Sequence, residues 1–174
     1  MRALTLTQPW CGLVSCGLKL VENRGRPLIR TQDFGEPFAL HASREVDDRV
    51  LDTIFRVAPE LRSASPGSRW REVSRVTSAV LSVAVVERAV TWRGGDPRSR
   101  YVVDYHTGEL VDLGGSARWL FGRIGYVLRC VPALLPRPVR CPGRQGFWTL
   151  PPYASMQVQA QLLDWRSLHV QEAA

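Results

Sequence analysis

The residues best suited to chemistry lie close together near the N-terminus. Lys19, Glu22 and Arg24 place two cations and one carboxylate in a single short stretch, with Trp10 shortly before them. Lysine and arginine side chains attract phosphate, and a nucleic-acid base stacks on an indole or on a guanidinium. This set suits an anionic, planar ligand, with Glu22 either accepting a hydrogen bond from an exocyclic amine or holding the two cations in place.

Lys19 is the single lysine of the chain; the rest of its 23 basic residues are arginines. Unlike arginine, a desolvated lysine can lose its proton and act as a base. The structural alternative is a salt bridge, Lys19–Glu22 or Glu22–Arg24. Lys19 and Glu22 share a face if the first helix continues through them, whereas Glu22 and Arg24 point the same way if the chain extends. The sequence leaves these alternatives open.

The composition is that of one globular domain with a strong positive charge. Of 174 residues, 45% are hydrophobic and 22% charged, which excludes wholesale disorder. The net charge of +7 favours acidic partners. No apolar run reaches the roughly 18 residues of a membrane-spanning helix, and Pro9 interrupts the first apolar stretch, so no signal peptide is predicted. We therefore expect a cytoplasmic location and no membrane partner.

Other familiar sites are absent from the sequence. The cysteines at 11, 16, 130 and 141 match no common zinc or redox spacing, so we expect free, partly buried thiols. The three histidines form no metal-binding pattern, and the chain contains neither a phosphate-binding glycine loop nor a hydrolase nucleophile elbow. We predict no metal and no cofactor.

The elements that must position these residues are mostly short strands. Hydrophobic periodicity and turn residues indicate an α+β, mostly β domain with two or three flanking helices, most simply a small barrel. Predicted strands cover 3–6, 36–41, 76–90, 124–131 and 147–150, with a hairpin of 101–105 and 109–113 in a polar insertion at about 91–117. Predicted helices cover about 9–18, 45–57 with Ser43 as N-cap, and 156–170.

Two motifs carry a resemblance to a known family. The first is Leu6-Thr7-Gln8-Pro9-Trp10 followed by G-x-K-x-x-E-x-R over 17–24; the second combines Gly125-Tyr126-Val127-Leu128, a proline-rich turn at 134–139, and Gly143-Arg144-Gln145-Gly146-Phe147-Trp148. Together they resemble the ASCH family of the PUA-like superfamily. The resemblance implies a PUA-like β-barrel domain over 1–152 and a cleft beside the first helix. The insertion has no counterpart, and the tail at 153–174 is expected to be helical.

The resemblance implies binding of RNA, another nucleic acid, or a nucleoside or nucleotide. The ligand-binding residues that it and the local chemistry predict are Trp10, Lys19, Glu22, Arg24, Arg26, His41 and Arg44. Four groups of arginines form either a phosphate-tracking surface or a solvated surface that reflects composition. They are Arg24, Arg26, Arg30 and Arg44 around the first strands; Arg69, Arg71 and Arg75; Arg93, Arg98 and Arg100 in or beside the insertion; and Arg137, Arg140 and Arg144 at the closing turn.

Two other functions remain open from the sequence. Some ASCH-like proteins resemble amidohydrolases that act on N4-acetylcytidine, and ribonuclease activity is associated with others, so Lys19 and Glu22 are the catalytic candidates for proton transfer. In the deacylating subset a threonine nucleophile occupies the place of Glu22, and a carboxylate there would form a mixed anhydride. Glu22 would instead act as general base on water, with Lys19 as electrophile. A protein-interaction module would use the 91–117 insertion as its contact surface.

Overall fold

The computed structural model describes residues 1–92, 99–130 and 134–170, with side chains described up to 164. Its strands are β1 (Arg2–Gln8), β2 (Val21–Arg24), β3 (Phe38–Val46), β4 (Ala79–Thr91), β5 (Tyr101–Asp104), β6 (Leu110–Asp112), β7 (Ile124–Cys130), β8 (Val139–Arg140) and β9 (Phe147–Thr149). Its α-helices are α1 (Trp10–Ser15), α2 (Leu51–Val57), α3 (Arg69–Val73) and α4 (Pro152–Val170).

The strands form one curled sheet in the order β2-β7-β4-β3-β1-β9. β8 and the β5–β6 hairpin attach to the two ends of the long strand β4. The pair β1–β3 is parallel, and the other pairs of described strands are antiparallel. The sheet curls into a half barrel with a few flanking helices, so the predicted α+β, mostly β architecture is confirmed.

Buried apolar residues on both faces of the sheet hold it together. Inside the curl, leucines from β1, β3 and β4 pack with Tyr126. On the helical side, Leu13 and Ile54 pack against Trp70 and Trp119. Each such large side chain contributes on the order of 1.5–3 kcal/mol by leaving water. No helix in the described part of the chain is long and apolar enough to cross a membrane.

The first helix is shorter than its apolar spacing predicts. α1 ends at Ser15, Gly17 takes a positive φ of 72°, and Leu18 is exposed. A positive φ costs glycine little and ends a helix readily. The chain then turns and extends, so Val21 begins a strand that pairs with β7.

The predicted helix over 45–57 is wrong at its start. β3 continues to Val46, which pairs with Gln8 of β1; a 3-10 turn then covers Asp48–Val50 and leads into α2 at Leu51. Ser43 is no helix cap, since its hydroxyl bonds the backbone of Glu45 within the strand. Pairing with β1 overrides the helical spacing of the valines, and Val46 is exposed.

Candidate nucleic-acid interface

Lys19 is almost completely buried, with 2% of its surface exposed. Its Nζ donates to the carbonyl of Val21 at 2.5 Å and to Oε2 of Glu22 at 3.0 Å. The same atom lies 5.4 Å from the ring centroid of Trp10. The ammonium is thus held by a carbonyl, a carboxylate and an indole, an arrangement that compensates the cost of burying its charge.

The second carboxylate oxygen of Glu22 faces Arg24. Glu22 Oε1 lies 3.2 Å from a terminal nitrogen of Arg24, because both residues stand on the same side of the extended strand β2. Both ion pairs that the sequence left open are therefore present at once. Two cations share one carboxylate, and the Arg24 side chain is the more exposed cation, at 27%.

Trp10, the first residue of α1, is half-buried and packs against the core on the helical side of the sheet. Its ring stands edge-on to Trp119 at 6.4 Å and is tilted against Phe121 at 5.9 Å, measured between centroids. These ring contacts hold the start of α1 against Trp119 and Phe121. Trp10 does not line the open cleft described below.

His41, which the sequence predicted among the ligand-binding residues, is fully buried on β3. Its Nε2 lies 3.0 Å from the carbonyl oxygen of Cys141, and its Nδ1 lies 3.4 Å from Oγ1 of Thr5. Burial lowers the pKa of the imidazole, while the hydrogen bond to the Cys141 carbonyl acts in the opposite direction. His41 supports the cleft from beneath and does not line it.

An open cleft of about 1280 Å³ lies on the surface of the protein, and Arg24 lines it. Its lining comes from β1, from the end of β2, from β3 and from the segment between β8 and β9. We call it the arginine cleft, because five arginines line it with one carboxylate, Glu45; these arginines are Arg24, Arg26, Arg44, Arg140 and Arg144. The threonines Thr5 and Thr7 of β1 also contribute to the lining.

Of the five cleft arginines, Arg24 pairs with Glu22 and the other four have no acidic partner among the described residues. Elsewhere, Arg30, Arg49, Arg100, Arg118 and Arg129 each pair with a carboxylate. Within the described residues, Arg26, Arg44 and Arg144 form no ion pair, and Arg140 donates to the carbonyl of Thr77. Exposed guanidinium groups without a carboxylate partner are available for an anionic ligand.

The structure thus divides the predicted ligand residues into two groups. Arg24, Arg26 and Arg44 line the cleft, whereas Trp10, Lys19, Glu22 and His41 do not. The lining of the arginine cleft includes residues of β1 and β3 and no residue of α1. The sequence reasoning missed Thr5 and Thr7, although their alternation with the buried Leu4 and Leu6 places them on the other face of β1.

The geometry adds no specific support to the hydrolase alternative. The ammonium of Lys19 and the carboxylate of Glu22 are buried against each other and do not line the cleft. The four cysteines are free thiols, and burial raises the pKa of the Cys130 thiol to about 12, which keeps it protonated. Among the described residues no group of three or more metal-ligating side chains occurs.

The polar insertion reaches back toward the segment that follows β2. Its hairpin, β5–β6, lies where the sequence predicts one, while residues 93–98 of the insertion fall outside the described part. His106 at its turn stacks edge-on against Phe34 at 5.7 Å, and its Nε2 lies 3.4 Å from Oγ1 of Thr31.

Comparison with known proteins gives a structural likeness and no match in sequence. No protein-family model matches the chain, and no curated protein matches it. Among solved structures it is similar to the crystal structure of a mutant ZmASCH protein from Zymomonas mobilis, with 15% identity and a TM-score of 0.45. That likeness covers 91% of this chain and 94% of the other.

Proposed function

We propose that this protein is an ASCH-type nucleic-acid-binding protein that binds RNA through the arginine cleft. The observation that carries the proposal is the convergence of five arginines and one carboxylate on a single open cleft. Phosphate groups bind guanidinium through paired, charge-assisted hydrogen bonds. Neutralising several phosphates also releases counterions, which supplies much of the affinity of such sites.

The size of the cleft favours a strand over a free nucleoside. Small-molecule sites enclose about 300–1,000 Å³, and this cleft is larger, at about 1280 Å³, and open to solvent. A nucleoside without phosphate would also leave the arginines without an anion. We therefore take a short single strand of RNA as the ligand, with its phosphates on the cleft arginines.

Titration of a labelled single-stranded RNA at several salt concentrations tests the proposal. We expect salt-dependent binding that weakens in Arg44→Ala and in Arg144→Ala. Arg56→Ala is the matched control, since Arg56 is exposed on α2 and lies outside the arginine cleft. Absence of RNA binding, or equal losses in the control and the cleft variants, would refute the proposal.

A further inference from the structure

Thr5 and His41 face each other across the parallel strands β1 and β3. They are partners in the strand register, and Thr5 Oγ1 lies 3.4 Å from His41 Nδ1. The indole Nε1 of Trp148 donates to the same threonine oxygen at 3.0 Å. Of these three residues, Thr5 lines the arginine cleft, so its hydroxyl is the part of the network that a ligand can reach.

The hydrogen bond between His41 and Cys141 determines the direction of this network. His41 Nε2 lies 3.0 Å from the carbonyl oxygen of Cys141. A carbonyl oxygen only accepts, so Nε2 carries the proton of the ring. Burial lowers the pKa of His41 and keeps the imidazole neutral near pH 7. Nδ1 then has a free lone pair, and the Thr5 hydroxyl donates its hydrogen to it.

The Thr5 oxygen consequently has one position left for a ligand. A hydroxyl has one donor and two acceptor lone pairs. Its donor is directed to His41 and one lone pair accepts from Trp148, so the remaining position is an acceptor. A phosphate oxygen cannot fill this position, because it too only accepts. The group that meets Thr5 must be a hydrogen-bond donor of the ligand.

We propose that Thr5 is a specificity-determining residue that accepts a hydrogen bond from a ribose 2′-hydroxyl, so that the arginine cleft binds RNA more tightly than DNA. This inference rests on the proposed function. The 2′-hydroxyl is the group that distinguishes RNA from DNA, and it lies on the sugar next to the phosphates that the arginines bind. Every nucleotide carries it, whereas an amine on a base depends on the sequence.

Gly143 gives the closing segment its close approach to this network. A Cβ at this position would lie 2.4 Å from Cε1 of His41 and 3.3 Å from Oγ1 of Thr5. Only a residue without a side chain lets the backbone pass so near the pair and leaves the threonine oxygen accessible from the cleft.

The test compares three labelled single strands of one base sequence: RNA, 2′-fluoro RNA and DNA. The 2′-fluoro strand keeps the RNA-like sugar pucker but lacks the donor. We expect the wild type to bind RNA about two- to tenfold more tightly than either other strand, the value of one hydrogen bond. Thr5→Val should bind all three alike, and Thr5→Ser should keep the preference. Thr53→Val, on α2 and outside the arginine cleft, should keep it too.

The outcomes separate this inference from the proposed function. No binding of any strand refutes the proposed function, whereas equal binding of all three by the wild type refutes only the role of Thr5. If Thr5→Val does not fold, Thr5→Cys, with its weakly accepting sulfur, should also lose the preference. A preference that persists in these variants overturns the inference. The inference is also overturned if RNA and 2′-fluoro RNA bind alike while exchanging cytidine for uridine changes the affinity, because the donor is then a base amine.

Discussion

The ammonium of Lys19 lies 3.0 Å from the carboxylate of Glu22, and both side chains are buried. Removing one member of a buried ion pair leaves the other charge desolvated without a partner, which is costly. Lys19 lies in the turn after α1 and Glu22 lies in β2, so the ion pair joins these two segments at the edge of the arginine cleft. Arg24, the third charge of the group, is the one that lines the cleft.

Replacing Lys19 should destabilise the protein. We expect Lys19→Met to lower the free energy of unfolding by about 1–3 kcal/mol, because the buried Glu22 carboxylate loses one of its two cationic partners and the Val21 carbonyl loses its donor. The double variant Lys19→Met/Glu22→Gln should recover part of this loss, since the buried carboxylate is gone and Arg24 is the more exposed of the two cations. Urea denaturation of the three proteins measures both differences. A loss below about 1 kcal/mol in Lys19→Met would contradict a structural role for the pair.

The cleft arginines should each contribute to the salt dependence of RNA binding. For a single strand, the slope of log K against log salt is about −0.7 per neutralised phosphate. We expect Arg26→Ala/Arg144→Ala to reduce the slope by about 1.4, twice that value. Binding titrations at four or more salt concentrations give the slope. An unchanged slope would show that these two arginines contact no phosphate, and Arg56→Ala should leave it unaltered.

Tyr126 positions the segment that carries Arg26. Its buried hydroxyl accepts hydrogen bonds from the backbone N–H groups of Leu28 at 2.8 Å and Ile29 at 3.1 Å. Tyr126→Phe leaves both donors without this acceptor, so we expect a loss of about 1–3 kcal/mol in the free energy of unfolding. RNA affinity should fall as well, because Leu28 and Arg26 line the cleft.

A matched control distinguishes this effect from a general loss of an aromatic hydroxyl. Tyr105→Phe alters an exposed tyrosine in the turn of the β5–β6 hairpin. We expect it to retain wild-type stability and RNA affinity. If Tyr126→Phe is as stable as the wild type in thermal unfolding, the hydroxyl does not hold the 28–29 segment in place.

The sequence predicted local features well where a pattern lies within one element. The valine-rich run gives β4, and the alternation of Ile124, Tyr126 and Leu128 gives β7. The helix predicted from Glu45 failed because its first residues pair with a distant strand. That pairing depends on the register between β1 and β3, which the spacing of residues within the segment does not reveal.

The lining of the cleft was predictable only where its residues are close together in the sequence. Arg24 and Arg26 belong to the signature region, and the sequence shows them together. Arg44 and Arg144 meet them only because β3 and the segment before β9 fold over the same part of the sheet. The burial of Lys19 and His41 likewise depends on what packs over them, which spacing along the chain does not reveal.

Stability should depend on the protonation of His41. Burial lowers the pKa of this imidazole below the value of 6.5 of an exposed histidine, so the unfolded chain binds the proton more readily. The contribution of neutral His41 is complete above about pH 6.5 and is lost as the pH falls toward the folded-state pKa, with at most about 1.4 kcal/mol per pH unit. Urea denaturation from pH 5 to 8 measures the slope. His41→Gln should flatten it, whereas the exposed control His106→Gln should not; equal slopes in wild type and His41→Gln would contradict the assignment.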